Sequence, residues 1–327
     1  MRTVADAARE ADVLALFALK SFAHPTIVAL AAEHLDGFDA ASPGELAVLP
    51  PARVLSIMDP SGRALATGWT GRLIVGCETV EQVRAAPAHA EIAIRLSASL
   101  VDRDPAVGAI LEGSGRRRSR FGLDVEPARR REQLAAMVAA AAGRPVGLHV
   151  HHGAIAATSG ERFVATARAA LAAAAAADFA PRFLDLGGAW HAVADLAAAL
   201  REVRAAVGAL ELFIEPGRLL SEHAGFATGR ITAARELDDR ALRVVELSRI
   251  CHLRWSPIDL VARPPAGGGR VVMLAGPTCY EEDVLGEWTV ADPLAIGDRI
   301  VLRDVTGYAV GWNTGFGGIA PADVVVG

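Results

Sequence analysis

Lys20 closes the apolar run L-A-L-F-A-L-K and is the chain's sole lysine; the other 32 of its 33 basic residues are arginines. A guanidinium stays protonated and forms no imine with a carbonyl, whereas an amine does. A single lysine at the end of a buried run therefore points to a Schiff base. An arginine-rich composition that keeps one lysine by accident is the plainer alternative. Other apolar runs also close on chemically capable residues: Asp39 in G-F-D-A-A-S-P-G-E-L, Arg95 in I-A-I-R-L-S, and His149, His151 and His152 in L-H-V-H-H-G. Asp185 with Gly187 and Gly188 closes F-L-D-L-G-G, and Glu215, Gly217 and Arg218 form E-P-G-R. This set suits an anionic ligand better than a metal. His149 and His151 share a strand face, but no cysteine or acid stands near them at ligand spacing, so no metal is expected.

These residues need elements that bring them together. Strand-like runs at 13–19, 37–40, 53–57, 72–75, 91–96, 146–151, 182–186 and 211–214 alternate with segments of helical period at 26–35, 45–49, 80–86, 129–142, 161–177 and 192–207. That rhythm predicts an α/β fold, a (β/α)₈ TIM barrel over 1–224, whose active site lies at the C-terminal ends of the strands. Period-2 alternation puts Lys20 on the face of Leu16 and Ala18, at the barrel mouth. From Gly225 onward long helices give way to strands at 227–233, 243–247, 270–274, 298–302 and 308–312, predicting a β-rich domain over 225–327.

The net charge of −5 argues against a nucleic-acid partner, and acidic neighbours dilute the local cluster Arg116, Arg117, Arg118 and Arg120. Mean hydropathy is +0.31, yet no window offers about eighteen uninterrupted apolar residues, so no membrane span is expected. Cys77, Cys251 and Cys279 are odd in number and form no C-x-x-C pair, which with the charged N-terminus predicts a cytoplasmic protein without disulfides.

In order along the chain, F-A-L-K-S, G-F-D-A-A-S-P-G-E-L, S-R-F-G-L, G-L-H-V-H-H-G, F-L-D-L-G-G, E-P-G-R and G-P-T-C resemble the fold-type III pyridoxal-phosphate decarboxylases. That family includes the diaminopimelate, ornithine and carboxynorspermidine decarboxylases, on a barrel of the alanine racemase/ornithine decarboxylase type. The resemblance implies pyridoxal 5'-phosphate on Lys20, Glu215 at its pyridine nitrogen, and His151 stacked on its ring. It assigns the phosphate to the Gly187-Gly188 turn and Tyr308, with Gly217 and Arg218 at the phosphate or at the Glu215 end. Asp39 and Glu45 match acids near the lysine, and Arg95 an ordering arginine; either acid also reads as structural, Glu45 as a first-turn acid after Ser42. Cys279 matches a thiol that the neighbouring subunit of a homodimer supplies to govern reprotonation.

Three departures mark this chain. Tyr280, followed by Glu281, Glu282 and Asp283, stands where the family reads a distal ammonium with an acid. Ala154 and Ala189 replace a phosphate-side serine and glycine. Arg254 and Trp255 offer a different specificity wall, with Arg254 able to pair a substrate carboxylate. The expected activity is decarboxylation of an amino acid, with a specialised substrate held by Tyr280, Glu281 and Arg254. An amino-acid racemase and a catalytically silent homologue with a regulatory role are the alternatives.

Overall fold

Eight parallel strands pair in sequence order and close on themselves: β1 (Leu14–Ala18), β2 (Gly37–Ala40), β3 (Val54–Ile57), β4 (Arg72–Cys77), β5 (Glu91–Arg95), β6 (Val146–His149), β7 (Phe183–Asp185) and β8 (Glu211–Ile214). The computed structural model describes residues 1–65, 68–100, 119–151, 160–262, 268–291 and 294–327. The chain divides into two compact units, Met1–Leu219 and Leu220–Gly327.

In the first unit, helices α1 (Arg2–Glu10), α2 (Pro25–His34), α3 (Pro43–Leu46), α4 (Val80–Ala85), α5 (Pro127–Ala140), α6 (Glu161–Ala175) and α7 (Leu196–Val207) are interleaved with the strands. Their starts are written in local chemistry. Pro25, Pro43 and Pro127 occupy first-turn positions, where the missing N–H forfeits no intrahelical bond. Ser42, Thr79 and Asp195 cap α3, α4 and α7 by accepting from backbone amides. Helix α1 was not expected from the sequence. It buries Val4, Ala5, Ala7 and Ala8, and Arg204 of α7 donates to the carbonyls of Ala11 and Asp12 just beyond its end.

Leu16, Val54, Met58, Ile74, Ala93, Phe183 and Phe213 form one buried cluster with members from β1, β3, β4, β5, β7 and β8. Phe183 and Phe213 meet edge to face at 5.6 Å. At the N-terminal ends of the strands, Arg72 on β4 reaches Glu91 on β5 at 2.9 Å and Glu211 on β8 at 2.8 Å. Its guanidinium also lies 5.1 Å from the centre of the Phe213 ring.

The second unit is a six-stranded sheet in the order β11-β14-β9-β10-β12-β13, from β9 (Gly225–Glu236), β10 (Ala241–Val245), β11 (Asp259–Leu260), β12 (Arg270–Ala275), β13 (Val284–Val290) and β14 (Arg299–Val305). Only the β10–β12 pair is parallel. Its core includes Ile231, Val245, Leu253, Val272, Leu274 and Leu302. Strands β11 and β13 were not expected, and the expected strand at 308–312 is instead a helical turn, Tyr308–Gly311. Its amides bond back locally, Ala309 N to Thr306 O at 3.0 Å and Val310 N to Gly307 O at 3.1 Å. A five-residue apolar run fits either conformation, and the local bonds decide it.

Candidate active site

Strand β1 ends at Ala18, and one 3₁₀ turn, Leu19–Ser21, follows, closed by Ser21 Oγ donating to Ala18 O at 2.8 Å. That turn carries Lys20, whose Nζ donates to Asp39 Oδ2 at 2.9 Å. Asp39 stands opposite Ala18 in the β1–β2 register. Its side chain is wholly buried while that of Lys20 is 34% exposed, so the amine bridges the barrel interior and solvent. Burial first and then Glu215 raise the Asp39 carboxyl above its ordinary value, and Lys20 opposes them.

Glu45 is built into the next turn. Its Oε2 accepts from Ala41 N at 2.7 Å, and Ser42 Oγ accepts from its own amide at 3.2 Å. Both bonds are those of a first-turn acid behind a serine cap.

Arg95, His149 and Asp185 end β5, β6 and β7 as direct register partners, forming one row across three strands. Arg95 lies 4.2 Å from the Phe121 ring centre and 3.5 Å from Glu78. Burial lowers its pKa, chiefly against the pull of Glu78, and the guanidinium stays charged. His149 is buried with Nε2 3.3 Å from Glu215 Oε1, although not aligned as a hydrogen bond. Burial, then Arg95, hold it well below its usual value, so the ring is neutral. The folded barrel thus brings two acids to His149 that sequence spacing did not: one ligand atom from each of His149, Asp185 and Glu215 lies within 4.8 Å of the others.

His151 follows β6 and is pushed down to about 3 by burial, with Glu215 opposing. It explains the glycine pair. A Cβ on Gly187, whose φ is +60°, would meet His151 Cβ at 2.8 Å, and one on Gly188 would meet His151 Nε2 at 2.9 Å. Gly187 N donates to Asp185 Oδ1 at 2.8 Å. Its amide is therefore spent inside the barrel, a correction to the expectation that both glycine amides face a phosphate. Glu215 is buried, its amide bonded to Gly187 O at 2.8 Å, and its Oε1 meets no hydrogen-bond donor among the described residues. Gly217 and Arg218 follow it, with Arg218 opening the short helix Arg218–Ser221. Arg116, Arg117, Arg118, His152 and Ala154 lie outside the described residues.

The remaining expected residues belong to the second unit. Tyr308 meets Trp255 edge to face at 5.7 Å, Trp255 meets Trp312 at 5.2 Å, and Arg254 lies 4.5 Å from the Trp312 ring centre. Arg254 thus stacks on an aromatic face in a cluster the sequence reading only half anticipated, since Trp312 was assigned to a strand. Cys279 is an exposed free thiol, and Tyr280 beside it meets Phe316 at 5.2 Å. Glu281 and Glu282 are exposed. Asp283 is buried, accepting from Ser248 Oγ at 2.9 Å, Arg249 N at 2.7 Å and Thr278 Oγ1 at 2.8 Å. It builds the loop, whereas Glu281 and Glu282 face solvent. Cys77 is inert, its thiol pushed up to about 12 by burial.

The same architecture recurs in solved structures. Arginine decarboxylase of Paramecium bursaria Chlorella virus, bound to agmatine, superposes with a TM-score of 0.77 over 97% of this chain and 91% of that one, at 18% identity. Lysine/ornithine decarboxylase of Vibrio vulnificus, complexed with cadaverine, gives a TM-score of 0.72 over 97% and 91%, at 19% identity. The fold is that of the fold-type III decarboxylases. Diaminopimelate decarboxylase of M. jannaschii shares this fold-type III barrel, with a TM-score of 0.73 over 94% and 78% at 18% identity. By sequence, carboxyaminopropylagmatine decarboxylase of Synechocystis sp. is 28% identical over 116 residues. That match covers 34% of this chain and 30% of the relative's length. No protein-family model matches. Among the described residues, no helix is long and apolar enough to cross a membrane.

Proposed function

We propose that this chain is a pyridoxal-phosphate-dependent amino-acid decarboxylase. The observation that supports it most directly is Glu215 Oε1: a buried carboxylate oxygen without a donor among the described residues, in the strand-end layer that also holds the chain's one lysine. A buried acceptor of that kind fits the protonated nitrogen of a pyridine ring, and Lys20 fits its aldehyde. When bound, the cofactor supplies an electron sink for the pair left at Cα as carbon dioxide departs.

The chain's own residues supply the rest. Glu215 holds the proton at the pyridine nitrogen. Asp39 accepts from the Lys20 amine and so orients it. His151, neutral and pressed on the glycine pair, offers an uncharged ring to the cofactor's face, and Gly188, Gly217, Arg218 and Tyr308 bind the phosphate end. Arg95 orders the layer through Glu78. The partner's Cys279 directs the proton returned to Cα, in a homodimer whose 225–327 completes each site; the enzyme works in the cytoplasm.

Tyr280 in place of an acid, Arg254 on Trp312, and the exposed Glu281 and Glu282 favour a substrate whose distal end is larger than a bare ammonium. Arginine and carboxyaminopropylagmatine, named by the relatives, lead the panel to be tested. Purified protein with pyridoxal phosphate should show a lysine-bound absorbance band that Lys20→Ala lacks. Carbon dioxide release from a panel that adds lysine, ornithine, diaminopimelate and carboxynorspermidine tests the activity; racemisation without release would refute it.

A further inference from the structure

The strand-end layer of the barrel contains three buried carboxyls, Asp39, Asp185 and Glu215. Among the described residues two cations answer them: Lys20, 2.9 Å from Asp39, and Arg95, which Glu78 also engages at 3.5 Å. Both histidines of the layer are neutral, so negative groups exceed positive ones. The excess is localised. Asp185 and Glu215 lie together beside His149, with ligand atoms of the trio within 4.8 Å of one another. Asp185 Oδ2 and Glu215 Oε1 each meet no hydrogen-bond donor among the described residues. Two adjacent, buried, donorless anions are too costly to persist, and one shared proton cures both defects.

We propose that Asp185 carries that proton near neutral pH, as a carboxylic acid that donates from Oδ2 to Glu215 and so positions the Glu215 carboxylate. The bonding pattern assigns the oxygens: Oδ1 accepts from Gly187 N at 2.8 Å and is the carbonyl, which leaves Oδ2 as the hydroxyl. Burial raises Asp185 well above its ordinary value, and Glu215 and Asp39 push the same way against the Gly187 amide. His149 is its neighbour in the ladder. Asp185 is thus a positioning residue that keeps a single negative charge on Glu215. Its service to the cofactor rests on the function proposed above; its protonation does not.

The test begins without cofactor. Protein labelled with [4-¹³C]aspartate is examined by infrared spectroscopy near neutral pH in D₂O. A protonated-carboxyl band that moves with the label should persist in Asp39→Asn and vanish in Asp185→Asn. Its absence from the wild type, its loss in Asp39→Asn, or a stoichiometric divalent metal in the purified protein overturns the proposal. Cofactor titration then tests positioning. Asp185→Asn keeps an acceptor for Gly187 and a donor for Glu215, and should hold pyridoxal-phosphate affinity within about threefold, whereas Asp185→Leu should lose about tenfold or more. An asparagine variant as impaired as the leucine variant refutes the positioning role. Wild type that binds no cofactor refutes the function proposed above while the infrared band still decides the proton.

Discussion

Lys20 Nζ donates to Asp39 Oδ2 at 2.9 Å, across the register pair that joins the last residue of β1 to β2. The strand pairing itself therefore fixes where the amine is anchored. Lys20→Arg keeps a cation beside Asp39 but cannot form an imine. It should fold with little change in Tm, show no lysine-bound cofactor band, and lose at least about a thousandfold in kcat/KM. A band that survives the substitution would place the imine elsewhere.

His151 gives a pH dependence with a definite sign. Its ordinary value is 6.5 and its folded value about 3. Between those limits the unfolded chain takes up a proton that the folded chain refuses, so stability is present above 6.5 and is lost as pH falls toward 3. The loss is at most about 1.4 kcal/mol per pH unit, and less because the ring is partly exposed. Urea denaturation at several pH values should give a shallower acid limb for His151→Asn; parallel profiles would contradict this.

Gly188→Ala places a methyl 2.9 Å from His151 Nε2. The clash should cost about 1–3 kcal/mol and weaken cofactor binding together with stability, read by thermal unfolding and titration. An alanine variant unchanged in both would mean that His151 yields freely.

The loop that carries Cys279 and Tyr280 separates its structural acid from its exposed ones. Asp283→Ala strips the acceptor from Ser248, Arg249 and Thr278 and should cost about 3 kcal/mol in urea denaturation. Glu281→Gln with Glu282→Gln should leave stability within about 0.5 kcal/mol and raise KM for a cationic substrate.

Strand positions were legible because each barrel strand is a short apolar run between helical segments: β2 and β8 fall on 37–40 and 211–214 as read, and the others differ only at their ends. The polar residue at each strand end was legible for the same reason. What the sequence hid was tertiary. Asp185 lies 36 residues from His149, a spacing that means nothing until adjacent strands bring the two into register. Alternation could not reveal that Gly187 spends its amide on Asp185, nor that Asp283 is buried while Glu281 and Glu282 are exposed. Helix α1 was passed over because neither a side-chain cap nor a first-turn acid marks its start; its buried face is Val4, Ala5, Ala7 and Ala8, and Arg204 anchors the chain just beyond its end.

The two ends of the barrel differ in how their charges are settled. At the N-terminal ends, Arg72 is clasped by both Glu91 and Glu211, and nothing is owed. At the other end, buried oxygens of Asp39 and Glu215 can still accept from further donors. A molecule that supplies them should make the folded state harder to melt. Screening compounds by the rise in melting temperature should therefore find this protein's natural ligands independently of any assay of turnover.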